Sequence, residues 1–268
     1  MNEIILPMKV HAVKLEYKRQ MLMKMPHGYF RYVKDKKNVI ITYDTDFPQY
    51  NSCHPRVLRV TSKLGIKYTN IINSYLKIKA EYNELLNNWN KKYKIAPPRV
   101  KFPVIQFYDP HCMDNKFFRN QSANLGSYTP DEPTRSDHGV LKSKNEQFGA
   151  DLLKQMDIPF KYETSVYLED IGETINPDYL INFYEIDRCA YLEILGLSDN
   201  VEYSIRTGTK IFGFSKGRYR PGREIIYIIL YDKKNFDEDY FVSEVLSAYN
   251  NMIPDDALIW GDFKNQAV

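Results

Sequence analysis

Cysteine is scarce in this chain of 268 residues: Cys53, Cys112 and Cys189 are odd in number, widely spaced and form no CxxC pair. That pattern argues against a disulfide framework and against a zinc site of the usual spacing. Long apolar runs are missing as well. No stretch approaches the roughly 18 uninterrupted apolar residues of a membrane span. The opening segment, Met1 to Lys14, lacks the apolar core and small-residue cleavage site of a secretory leader. A cytoplasmic protein is therefore expected. No heptad run is long enough for a coiled coil. His111, Cys112, Asp114 and His138 follow no standard ligand spacing, so they read as structural or solvent-exposed residues.

What the chain does contain is the balance of a globular protein, 43% hydrophobic and 26% charged. Its length suits one large domain or two small ones, and either can bury an adequate core. The net charge of +3 conceals an asymmetry. Residues 1–100 hold 19 Lys and Arg against 7 Asp and Glu, a net of +12; the remainder holds 18 against 27, a net of −9. A basic half joined to an acidic one suits a polyanionic substrate, since the first offers phosphate contacts and the second metal-binding carboxylates. Abundant Tyr, Lys, Asn and Ile also fit a coding bias toward A and T, which is the plainer account of the same composition.

In the basic half, Val10 to Met25 predicts a first helix ended by Pro26-His27-Gly28. Two strand-like runs, 29–33 and 38–43, predict a β-hairpin with Lys34, Lys36 and Lys37 at its tip. Arg56 to Tyr93 predicts a long helix, broken near Gly65, with an apolar stripe from Ile71 to Trp89. Its lysines, Lys63 and Lys67 among them, join the hairpin tip as candidate phosphate contacts. The stripe also suits a homodimer through this helix or a protein-binding adaptor. Residues 101–140, rich in turn formers, predict a surface linker. Residues 254–268 predict a tail, with Leu258, Ile259, Trp260 and Phe263 packing back.

Residues 141–253 carry the strongest pattern. Leu141 to Met156 has helical spacing, with Ser143 and Glu146 placed as a capping box. Strands are predicted over Phe160–Leu168, Pro177–Glu185 and Cys189–Leu197, then a helix over Val201–Phe214. The run Glu224 to Tyr231 predicts an internal strand, and Phe236 to Tyr249 a closing amphipathic helix. Two of the strands place a carboxylate, Asp178 and Glu193, within an apolar run. Taken singly, Asp178 would cap a strand and Glu193 would lie on a solvated face. Together, two carboxylates buried on neighbouring strands suggest a metal, because burying each alone costs several kcal/mol. Glu185 and Asp187 read as turn residues.

The order helix, three strands, helix, strand, with Glu146 on the first helix, Pro177-Asp178 on the second strand and Glu193 on the third, resembles the PD-(D/E)xK nuclease superfamily. Within it, Lys142-Ser143-Lys144-Asn145-Glu146, Ile158-Pro159-Phe160-Lys161-Tyr162-Glu163, Asn176-Pro177-Asp178-Tyr179 and Glu193-Ile194-Leu195-Gly196 resemble patterns of a group of bacterial proteins. The resemblance implies an α/β, restriction-endonuclease-like core: a mixed four-stranded sheet flanked by helices. It also implies Mg²⁺ or Mn²⁺ held by Asp178, Glu193 and Glu146, and hydrolysis of DNA. Glu163 and Lys161 follow as supporting residues. The sequence departs from the superfamily where its third motif carries lysine, since Leu195 stands there. Lys210, Arg206 or Lys161 would then supply the cation that orients the attacking water. Without such a cation the chain would be an inactive relative that binds nucleic acid.

Overall fold

The computed structural model describes residues 4–25, 28–32, 38–43, 56–102, 110–123, 134–136, 139–196, 201–230 and 236–261. These divide into two compact units, His11–Val100 with Ile259–Val268, and Met1–Val10 with Lys101–Leu258. Among the described residues no helix is long and apolar enough to cross a membrane.

The first unit holds most of α1 (Met8–Lys24), three antiparallel strands β1 (Gly28–Tyr32), β2 (Asn38–Tyr43) and β3 (Arg56–Arg59) in the order β1-β2-β3, the 31-residue helix α2 (Lys63–Tyr93), and a short strand β4 (Arg99–Val100). The predicted hairpin is therefore present; its tip, with Lys34, Lys36 and Lys37, lies outside the described residues. Arg56–Arg59, expected to begin the helix, instead pairs with β2. Helix α2 starts only after Ser62, whose Oγ accepts from Gly65 N at 3.0 Å and donates to Arg59 O at 2.7 Å. Nor does Gly65 break the helix. A Cβ there would lie 1.9 Å from Arg59 O, so glycine lets the strand close onto the first helical turn.

Val13, Leu15, Leu22, Ile78 and Trp89 are buried in this unit, while Leu76 of the expected stripe is exposed. Some of the positive charge is used locally. Lys18 pairs with Glu81 at 2.7 Å, and the buried Glu16 takes Arg19 at 2.6 Å and Arg99 at 3.4 Å. Lys63 and Lys67 are exposed.

The second unit contains α3 (Asn115–Asn120), β5 (Thr134–Ser136), β6 (Gly139–Leu141), α4 (Lys144–Gln155), β7 (Phe160–Tyr162), β8 (Val166–Leu168), β9 (Glu173–Ile175), β10 (Tyr179–Phe183), β11 (Arg188–Gly196), α5 (Val201–Lys216), β12 (Ile225–Leu230) and α6 (Glu238–Asn251). It is an α/β structure built on a mixed four-stranded sheet in the order β12-β11-β10-β7. The β7-β10-β11 pairs are antiparallel and β11-β12 is parallel. A parallel pair needs a crossover, which α5 supplies.

One face of the sheet, with Leu180, Cys189, Tyr191 and Ile225, forms a core with Phe214 of α5 and with Val166, Leu168 and Ile175 of the β8-β9 hairpin. The alternate residues face α4 and α6: a Cβ on Gly149 would touch Ile194 and Phe241, and Phe183 stacks on Tyr249 at 4.5 Å.

Five expectations are corrected here. Phe160–Leu168 is two strands in different sheets, because Glu163 takes a left-handed conformation (φ 47°) between them. Among the described residues the Ile225–Leu230 strand stands at the end of the sheet order, not inside it. Its apolarity reflects burial on both faces, with Ile225, Ile226, Ile228 and Leu230 all buried. The stretch read as a linker includes α3, capped by Asp114, whose side chain accepts from Phe117 N at 2.6 Å, and joined to β11 through Cys189 N and Met113 O at 2.8 Å. Glu185 is not a plain turn residue, since its buried carboxylate accepts from Tyr249 OH at 2.9 Å. In the final segment Ala257 is buried, but Ile259 and Trp260 are about half exposed rather than packed back; Phe263 lies outside the described residues.

Candidate functional site

The strand registers place three acidic residues in one row. Tyr162 pairs with Tyr179, and Tyr179 with Leu192. One residue further along, Glu163 therefore stands opposite Asp178 and Asp178 opposite Glu193. Two hydrogen bonds fix this row: Glu163 N donates to Asp178 O at 3.0 Å, and Ile194 N donates to Asp178 Oδ2 at 2.7 Å. Glu193 is 2% exposed, which rules out the solvated-face reading, and Glu163 is 5% exposed. All three line a cavity of about 710 Å³, together with Glu146, Lys142, Arg206 and Lys210.

Glu146 arrives from the first turn of α4. Ser143 is the N-cap, its Oγ accepting from Glu146 N at 3.2 Å and donating to Glu146 Oε1 at 3.0 Å. The other oxygen, Oε2, accepts from Lys142 N at 3.0 Å and from the Tyr162 hydroxyl, while Tyr179 OH donates to Glu146 O. The capping box thus starts the helix and also fixes a carboxylate at the cavity. Ser143→Ala is expected to lower stability by about 1 kcal/mol, the usual loss of an N-cap, and to release Glu146 from one of its donors. Urea unfolding at neutral pH measures the first effect.

Two lysines answer the carboxylates. Lys210 of α5 reaches both oxygens of Glu193, at 2.9 and 3.2 Å, and Lys142 pairs with Glu163. Burial, then the charges of Glu193 and Glu146, push the Asp178 carboxyl well above the usual range. Burial also raises Glu193, although Lys210 pulls the other way. Burial alone would lower Lys210, but Glu193 and Asp178 outweigh it and the ammonium is held charged. Leu195 is buried and lines the cavity, where the ammonium that meets Glu193 is that of Lys210 on α5.

Of the other two possible cations, Arg206 lines the cavity. Lys161 does not, because its ammonium donates to the carbonyls of Phe118, Arg119 and Gln121 at the end of α3. Lys161 is thus a support for α3, against expectation. The sequence reading gave no role to Lys142 or Tyr162, although both stand within the quoted motifs; Lys142 pairs with Glu163, and its N–H and the Tyr162 hydroxyl hold Glu146.

The cavity offers carboxylate oxygens, the donor type a hard divalent cation takes, and Asp178 among them is raised in pKa by burial and by the charges of Glu193 and Glu146. The arrangement is ion-paired, however. Among the described residues no three His, Cys, Asp or Glu side chains stand close enough together to hold an ion. His111 stacks on Tyr219 at 3.8 Å and Cys112 is exposed, while His138 lies outside the described residues. Compared with protein-family models, curated proteins and solved structures, the chain matches none.

Proposed function

We propose that this chain is a metal-dependent nuclease of the PD-(D/E)xK type, with a restriction-endonuclease-like core that hydrolyses phosphodiester bonds in DNA. The observation that carries this reading is the row formed by Glu163 just after β7, Asp178 just before β10 and Glu193 within β11, met by Glu146 from α4 and Lys210 from α5 in one cavity. The order α4-β7-β10-β11-α5-β12 supports it, as does the net charge of +12 in residues 1–100.

Asp178, Glu193 and Glu146 are the residues that would hold Mg²⁺ or Mn²⁺. When bound, such an ion supplies a water of lowered pKa and neutralises charge developing on the phosphoryl oxygens. The chain's own groups do the rest. Lys210 brings a charged ammonium to the site in place of the lysine missing at Leu195. Ser143, Tyr162 and the Lys142 N–H fix Glu146, and Lys142 holds Glu163 beside Asp178. Lys63 and Lys67, exposed on the first turns of α2, would contact phosphates, as would the hairpin tip.

The test is cleavage of linear and supercoiled DNA, and of single-stranded RNA, in Mg²⁺, Mn²⁺ or EDTA. Wild type is expected to cut DNA with either metal and not with EDTA, and Glu193→Ala to cut at least about 100-fold more slowly. Leu195 favours one rival, a nucleic-acid-binding protein without activity. Tight DNA binding with no cleavage under any metal condition would establish that rival.

A further inference from the structure

Helix α5 has two faces that serve opposite purposes. Tyr203, Thr207 and Lys210 line the cavity and Phe214 enters the core below it. At 100° per residue the opposite side carries Val201, Ile205, Gly208 and Phe212, spaced as i, i+4, i+7 and i+11. These apolar side chains are 70%, 63% and 53% exposed at Val201, Ile205 and Phe212. A glycine inside an exposed helix costs roughly 1 kcal/mol relative to alanine, and a Cβ added at Gly208 would meet nothing within 4 Å. The face is therefore apolar on both sides of a point where a second helix axis can approach closely.

We infer that this face binds the same face of a second copy of the chain, with the two α5 helices antiparallel and the two-fold axis beside Gly208. The stripe is nearly palindromic about that point: Ile205 stands three residues before Gly208 and Phe212 four after, so antiparallel copies set Ile205 against Phe212 twice. The charges follow the same symmetry. Glu202 lies near the start of the helix and Lys216 at its end, so antiparallel copies bring unlike charges together at both ends and parallel copies bring like charges together. Within each chain Lys216 already lies over the Phe212 ring, 5.7 Å from its centroid. Because the stripe is opposite the cavity-facing residues, pairing leaves both cavities uncovered.

A single helix face is smaller than the roughly 800 Å² per partner of a standard interface, so association in the micromolar range is expected. The experiment is sedimentation equilibrium of the full chain from about 1 to 200 µM, a span that brackets such a constant. Wild type should pass from the 31.7 kDa chain mass to twice that value. Ile205→Glu should weaken the dimer at least tenfold with an unchanged circular dichroism spectrum. Glu202→Lys should also weaken it, and adding Lys216→Glu should restore it, a rescue that a merely destabilised chain would not give. Wild type that stays monomeric throughout, an Ile205→Glu variant that dimerises like wild type, or a charge swap without rescue overturns the inference.

Discussion

Asp178→Asn is expected to raise the melting temperature at neutral pH in EDTA while lowering metal-dependent cleavage by at least about 100-fold. The two effects have one origin. Burial, Glu193 and Glu146 all oppose ionisation of Asp178, and the Ile194 N–H and Lys210 offset them only in part. A carboxyl whose folded pKa lies above its unfolded value gives its full stabilisation below the ordinary carboxylate pKa. That stabilisation is lost as pH rises through the folded value. Wild type should therefore lose stability from this group between acid and neutral pH.

Asparagine keeps an oxygen for the Ile194 N–H and does not titrate. The gain should be near zero at about pH 4 and grow toward pH 8. Each ~1 kcal/mol corresponds to roughly 2–4 °C for a unit of this size. Thermal melts across that range, with and without Mn²⁺, decide the matter. A variant less stable than wild type at pH 7, or a difference independent of pH, would show that Asp178 carries no stored repulsion. Mn²⁺ should stabilise wild type and leave the variant nearly unaffected.

Much of this site was legible in the sequence because its carboxylates interrupt apolar strands. Asp178 immediately precedes β10 rather than lying within it, Glu193 lies in the adjacent β11, and Ser143 and Glu146 form the cap their spacing predicts. Glu163 was harder to place. Its left-handed backbone ends β7 and lines it up with Asp178, and nothing in a run expected to alternate to Leu168 marks that break. Periodicity also says how many faces of a strand are covered, not whether both its edges are paired, which is why Ile225–Leu230 reads as internal and lies at an edge. Local patterns could not choose between Lys161 and Lys210. The carbonyls that occupy Lys161 belong to α3, inside a stretch whose prolines and glycines read as linker. Lys210 reaches Glu193 only because α5 lies on the face that Glu193 shares.

The Lys210–Glu193 pair yields the other large effect, and it separates a cation-binding site from a structural ion pair. Both Glu193 oxygens are held by the Lys210 ammonium, so this lysine stands in the position of a counter-ion to the cavity's negative charge. Lys210→Met removes that competitor and the repulsion it exerts on a divalent ion. Unit charges 4 Å apart interact by about 4 kcal/mol at an effective dielectric of 20. Even a fraction of that predicts Mn²⁺ binding at least tenfold tighter, read by titration calorimetry. Metal-free stability should fall, since Glu193 is left buried without its partner. Lys210 is 35% exposed and solvent screens the pair, so the loss belongs at the low end, roughly 1–3 kcal/mol. Cleavage should drop by about 100-fold or more despite the tighter metal, because the positive charge that the proposed reaction sets against the phosphoryl group is gone. Lys210→Arg should recover stability and part of the rate. Weaker Mn²⁺ binding in Lys210→Met, or cleavage equal to wild type, would make Lys210 a structural partner of Glu193 and nothing more.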